Sequence, residues 1–198
     1  MEHRVVVASE YKVIQPPFTL KFREMSKKEL KEYLRWFLEI IPDRIQELTN
    51  GVRSSAGFES WSPDFTPVSL DSLGAWFGTQ VETRPRSPEE LDVIRSESPY
   101  EIEVPERDLT NRTFSLAMNI GMYLSQVLLR NHPSLKWNQP LGSKRFADYG
   151  QPVLIEFSYG PLNCVHIVVT LAYGIASGRQ TEKRLRELYD IWAKAIKD

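Results

Sequence analysis

The chain has 198 residues, with 25 Lys and Arg against 26 Asp and Glu, a formal net charge of −1. So even a balance sets up no global field for a phosphate backbone and argues against nucleic acid as the main partner. A hydrophobic content of 41% with 11% aromatics excludes wholesale disorder, and the length suits one core, so residues 1–198 are read as a single globular domain.

Residues 3–14 hold the β-branched runs Val5-Val6-Val7 and Val13-Ile14, read as one edge strand or two short ones that Pro16-Pro17 stops. Phe18–Phe22 alternates apolar with polar side chains, as a short strand or an extended lead-in. Ser26-Lys27-Lys28-Glu29 is a capping box and starts a helix. Its core face is Leu30, Tyr33, Leu34, Phe37, Ile40 and Ile41, with Trp36 flanking. Pro42 lacks an amide hydrogen, so it predicts a kink or a restart and a second helical piece closing at Asn50-Gly51.

Residues 52–68 contain four Ser, two Pro and one Gly together with Trp61 and Phe65, the composition of a loop pinned by aromatics rather than a linker. Ser69 is placed to cap a helix from Leu70 to about Gln80. Within it, Gly74 and Gly78 stand four apart, and the favoured reading is close packing of a neighbouring backbone. Ser87-Pro88-Glu89-Glu90 starts a short helix to about Arg95. Residues 96–107 alternate around Tyr100, Ile102 and Val104, an acidic edge strand between prolines.

The stretch Leu109 to Arg130 carries no charge between Arg112 and Arg130. Placed on a helix, its apolar side chains fill roughly 200° of the circumference, wider than one surface stripe, so it is read as a central helix covered on two sides. Its polar stripe is Arg112, Ser115, Asn119, Gln126 and Arg130. Asn131-His132-Pro133 ends it. Leu135, Trp137 and Gln139 then alternate as a short strand, residues 142–150 form a loop, and 151–159 form the clearest strand. In that strand Val153, Ile155 and Phe157 mark one face and Leu154 and Glu156 the other, and a hairpin with the Trp137 strand is expected. Residues 161–177 fit either a helix or a strand, and their length favours a helix. Thr181 is placed to cap a C-terminal helix with Leu185, Leu188, Tyr189, Trp192 and Ile196 inward and Glu182 and Arg186 as a four-apart pair. The fold class is therefore α+β: a central buried helix, several surrounding helices and a small, mainly antiparallel sheet against it.

A single cysteine, Cys164, rules out an intramolecular disulfide framework and suits a reducing cytoplasm. The N-terminal Val run is too short for a signal-peptide core, and the uncharged run Thr113–Leu129 falls short of the roughly 20 residues a bilayer demands, so no membrane span is expected. With three His and one Cys, no metal site and no cofactor are expected. Cys164 and His166 stand two apart in apolar surroundings, where a thiol is usually inert. No Walker loop, GxGxxG, GxSxG, HExxH or kinase signature occurs.

Two chemical readings follow. The loops holding Trp61, Asp64 and Phe65, and Lys144, Arg145, Asp148 and Tyr149, mix aromatics with charges as interface hot spots do; they equally suit segments folded back on the core. Alternatively, Glu156 on its strand serves as a general acid or base, with Arg112 or Arg130 holding an anionic substrate.

Three pieces of the chain together carry a resemblance. They are Glu24–Glu29 leading to Trp36-Phe37 and Ile41–Ile45, Ser69–Leu73 with Trp76-Phe77, and Ser115-Leu116 to Tyr123-Leu124 followed by Leu135–Trp137. They resemble uncharacterised proteins of about this length in Gram-positive bacteria, some of which look like immunity proteins. The resemblance implies a protein-binding module that neutralises a toxin or another protein partner, and it carries over no catalytic residue.

Overall fold

The structure is a computed structural model that describes residues 11–97, 100 and 103–197. Six helices occur among these residues, with four short strands paired as two separate antiparallel sheets. The α+β class with a helical core is what the sequence predicts.

Helix α1 (Lys27–Arg53) starts at the expected capping box: the Ser26 hydroxyl accepts the Glu29 amide, and the Glu29 carboxylate accepts the Ser26 amide. It runs through Pro42 without a restart. Pro42 itself is exposed. Phe37, Ile41, Ile45 and Leu48 stay buried as one continuous stripe across it. Tertiary packing of that stripe outweighs the lost hydrogen bond. The helix also passes Asn50-Gly51, with Ser54 as its C-terminal cap.

Helix α2 (Ser69–Gln80) begins without a side-chain cap. The Ser69 hydroxyl donates to the Thr66 carbonyl and therefore accepts the proton of the Tyr123 hydroxyl at 2.7 Å, so it is committed to a tertiary contact. Strand β1 (Thr83–Pro85) pairs with β2 (Arg107–Leu109) across the intervening helix α3 (Pro88–Glu97). Ser87 and Glu90 close a capping box at the start of α3, as expected. The edge strand expected around Ile102 falls partly on 98–99 and 101–102, which lie outside the described residues. Residues 103–105 are irregular.

Helix α4 (Asn111–Asn131), capped by Thr110, is the central helix. It packs against α1 and α5 (Cys164–Ala176) and touches α2 and α6 (Arg184–Ala193). The ambiguous 161–177 segment is thus helical. A Cβ at Gly121 would stand 2.6 Å from Val165 Cα and 2.9 Å from the Cys164 carbonyl oxygen, so only glycine lets the backbones of α4 and α5 cross this closely. Gly74 plays the same part between α2 and the lead-in to α6, where a Cβ would lie 2.4 Å from the Glu182 carbonyl oxygen.

Strand β3 (Lys136–Asn138) pairs with β4 (Val153–Ile155), Trp137 opposite Leu154. This is the expected hairpin, shortened. Val153 and Leu154 are both fully buried, so the two faces do not alternate as read. Glu156 at φ 84° ends the strand and turns the chain, after which Phe157 bridges to Ile196. The remaining strand expectations fail locally. Residues 11–14 and 18–22 form no strand, and residues 1–10 lie outside the described residues. Thr181 does not cap α6, which starts at Arg184. Arg186 pairs with Asp190 at 3.1 Å and Asp71 at 3.3 Å rather than with Glu182, which precedes the helix.

Candidate functional site

Two loops far apart in sequence meet on one face. The Arg23 Nε donates to the Lys144 carbonyl at 2.9 Å, and the Lys144 Nζ donates to the Arg23 carbonyl at 2.6 Å. Each cation bonds a neutral carbonyl, so both charges stay uncompensated. Arg23, Lys144 and the exposed Arg145 have no acidic partner among the described residues. In the same two loops Leu20 is 40% exposed and Phe146 39% exposed. Leu20 sits at φ 57°, a left-handed conformation costly for a branched aliphatic residue.

The second loop of the clasp is held from behind. Tyr149 is buried, and the Gln139 amide donates to the carbonyls of Gly150 and Leu30, tying the loop to α1. Asp148, largely buried, accepts from Asn163 at 2.9 Å and from the His166 ring at 3.2 Å. The two loops therefore present Arg23, Lys144, Arg145 and the Lys21–Glu24 pair on a backbone held in place from behind.

A cleft of about 450 Å³ opens between α5 and α6. Its floor is Ile167, Leu171 and Leu188, and its rim includes Thr170, Tyr173, Arg179 and Arg184, with His166 among its lining residues. The Tyr173 hydroxyl leads out of this cleft, donating to Asp108 at 2.6 Å. Asp108 also accepts from Arg86 at 2.9 Å, and Arg84 reaches Glu90 at 2.7 Å. Burial, followed by donation to the Asp108 carboxylate, pushes Tyr173 up to about 12. It is therefore a proton donor in a structural bond and not a base. The Arg84 guanidinium and then the Ser87 amide hold Glu90 down at about 2.

The polar stripe of α4 divides. Ser115 and Asn119 are buried. The Tyr11 hydroxyl accepts from Asn119 at 2.6 Å and from Arg44 at 3.3 Å, so its own proton goes to Ser115 Oγ at 2.9 Å. Arg44 closes the network on the Asn119 side-chain oxygen at 3.0 Å and the Lys12 carbonyl at 2.8 Å. This half is a satisfied core network and no open cleft. Gln126 is half-exposed, and Arg130 is exposed with its guanidinium carbon 3.4 Å from the centre of the Phe65 ring.

The residues of the carboxylate reading are not brought together. Arg112 bonds the Gln80 side chain at 2.7 Å and approaches Glu82 at 3.6 Å. Arg130 lies 130 − 112 = 18 residues along the same helix, about 27 Å away at the helical rise. Glu156 is half-buried on the turn whose carbonyl accepts the Lys197 amide, and it does not line the α5–α6 cleft. Cys164 is fully buried, which pushes its thiol up, and no metal-holding cluster occurs among the described residues.

Of the other expected binding residues, Trp61 is buried, its indole donating to the Ser69 carbonyl and its ring edge-on to Tyr123. Phe65 is half-buried and its amide donates to the Tyr123 hydroxyl. Asp64 is exposed and bonds Thr66 within its own turn. Trp61 and Tyr149 thus serve as anchors of their loops, unavailable to a partner. Sequence reasoning reached Lys144 and Arg145 but missed Leu20, Arg23 and the whole α5–α6 cleft. A leucine at a left-handed φ has no sequence signature, and the cleft depends on how two helices diverge.

No family model matches the chain, and neither the curated proteins nor the solved structures contain a match. No helix among the described residues is long and apolar enough to cross a membrane.

Proposed function

We propose that the chain is a cytoplasmic, cofactor-free protein-binding module of bacterial origin, and that the clasped loops 19–24 and 142–150 are its docking face. The observation that carries the reading is the reciprocal Arg23–Lys144 clasp, which fixes two distant loops while leaving Arg23, Lys144 and Arg145 without an acidic partner among the described residues, in the loops that also carry the exposed Leu20 and Phe146. Cations without partners attract an acidic segment and steer its approach, and the apolar tips give it something to bury. The partner is accordingly an acidic stretch of another protein. With the sequence resemblance added, the role is of immunity type, the face occluding a toxin or another protein's active site.

The test is charge reversal. The product of the adjoining gene is co-expressed with the chain, and the two are co-purified. Lys144→Glu with Arg145→Glu should reduce retention by at least about tenfold, and raised salt should do the same to the wild type. Retention unchanged by the double reversal, or failure to retain either that product or any other protein from the parent lysate, would overturn the reading.

A further inference from the structure

We infer that the α5–α6 cleft is a binding site for a small organic monocarboxylate with an apolar body, of the medium-chain acyl or aryl type. Its volume of about 450 Å³ falls in the range of small-molecule pockets, whose usual design is an apolar floor with a few convergent polar groups. Ile167, Leu171 and Leu188 supply the floor. Among the described residues, the charged side chains that line the cleft are Arg179 and Arg184, His166 at its edge is bonded to Asp148, and no carboxylate lines it.

The two arginines are differently engaged. Arg184 pairs with Glu187 on the outer side of α6 at 3.1 Å. Arg179 gives only its Nε to the Ser177 hydroxyl at 3.1 Å and has no acidic partner among the described residues. A planar guanidinium with open donors beside an apolar floor matches a carboxylate, which it binds through two parallel hydrogen bonds. The tip of α5 would ordinarily oppose an anion through its free carbonyls. Here the Tyr173 carbonyl accepts the Ser177 amide, Gly174 accepts the amides of Arg179 and Gln180, and Ile175 accepts that of Gly178. The opposing end is thus capped by its own chain.

The cleft meets the docking loops through the His166–Asp148 contact alone among the described residues, and it is tested apart from them. The probe is 1-anilinonaphthalene-8-sulfonate, titrated by fluorescence against the intact chain and then competed with decanoate or with decanol. One saturable site, displaced by decanoate at least about tenfold more effectively than by decanol, is the expected result. Arg179→Ala should weaken decanoate by about tenfold. Thr170→Trp, on the exposed rim, should abolish probe binding. Far-UV circular dichroism checks the fold of each variant; if Arg179→Ala is altered, Arg179→Gln replaces it with the same loss expected, and if Thr170→Trp is altered, Thr170→Phe replaces it with the same block expected. Non-saturable probe binding, equal competition by decanol, or binding indifferent to Thr170→Trp would each overturn the inference.

Discussion

The two halves of the polar stripe on α4 carry similar residues and meet opposite fates. Toward the N-terminus, Ser115 and Asn119 are drawn fully inside, because Tyr11, Lys12 and Ile14 lie across them and Arg44 of α1 reaches in from the side. Toward the C-terminus, Gln126 stays half-exposed, and Arg130 covers only the ring of Phe65. A polar stripe on a helix therefore reports where hydrogen bonds are available. Whether they are made to water or to protein depends on a segment about a hundred residues away.

Mutations along α4 should rank accordingly. Leu124 is fully buried at the centre of the helix, and Leu124→Ala should cost about 2–5 kcal/mol in a denaturant melt. Asn119→Ala leaves Arg44 short of an acceptor and Tyr11 short of a donor, and should cost about 1–3 kcal/mol. Ser115→Ala, which removes the acceptor of the Tyr11 hydroxyl and the Ile14 amide, should cost about 1 kcal/mol. Gln126→Ala should stay within about 0.5 kcal/mol. A loss at Gln126 equal to that at Asn119 would erase the difference between the halves.

Acid separates the same buried network from the ionic contacts outside it. The network is built from Tyr11, Ser115, Asn119 and Arg44, none of which takes up a proton in mild acid, and burial pushes Tyr11 up rather than down. Glu90 is the opposite case. Its folded value of about 2 lies below the ordinary 4.5, so its contact with Arg84 stabilises the fold at pH above that ordinary value. The contribution fades as pH falls toward the folded value. Melting temperatures of wild type and Glu90→Gln should therefore differ at pH 7 and converge near pH 2. Because both side chains are 39% exposed, the difference should also shrink in high salt. A constant gap across that pH range would mean that the carboxylate charge is not what matters.

Much of the architecture was legible in the sequence because it rests on local rules. The capping boxes at Ser26 and Ser87 fixed two helix starts, and the wide apolar arc of residues 109–130 identified the buried helix. The hairpin between the Trp137 strand and the one that follows residues 142–150 was expected from the two runs flanking that loop, though its register was not. The failures are local signals that the surrounding structure overrode. Ser69 and Thr181 had the right residue type for a cap, yet the Ser69 hydroxyl found Tyr123 and the chain at Thr181 turned before α6 began. Pro42 carried the breaker signal, but the apolar stripe on either side of it held α1 together.

Composition and periodicity by themselves determined the class, the central helix and the absence of a long apolar span, since these follow from how each residue partitions between water and an apolar interior. Among the candidate site residues they also pointed to Lys144 and Arg145. Only the tertiary structure decided that Trp61 and Tyr149 are anchors, that Arg112 and Arg130 stand at opposite ends of one helix, and that Arg23 clasps Lys144 beside a left-handed Leu20. The physical reason is that a side chain's chemistry is set by its type, whereas its partners are set by which distant backbone comes to lie within hydrogen-bond reach.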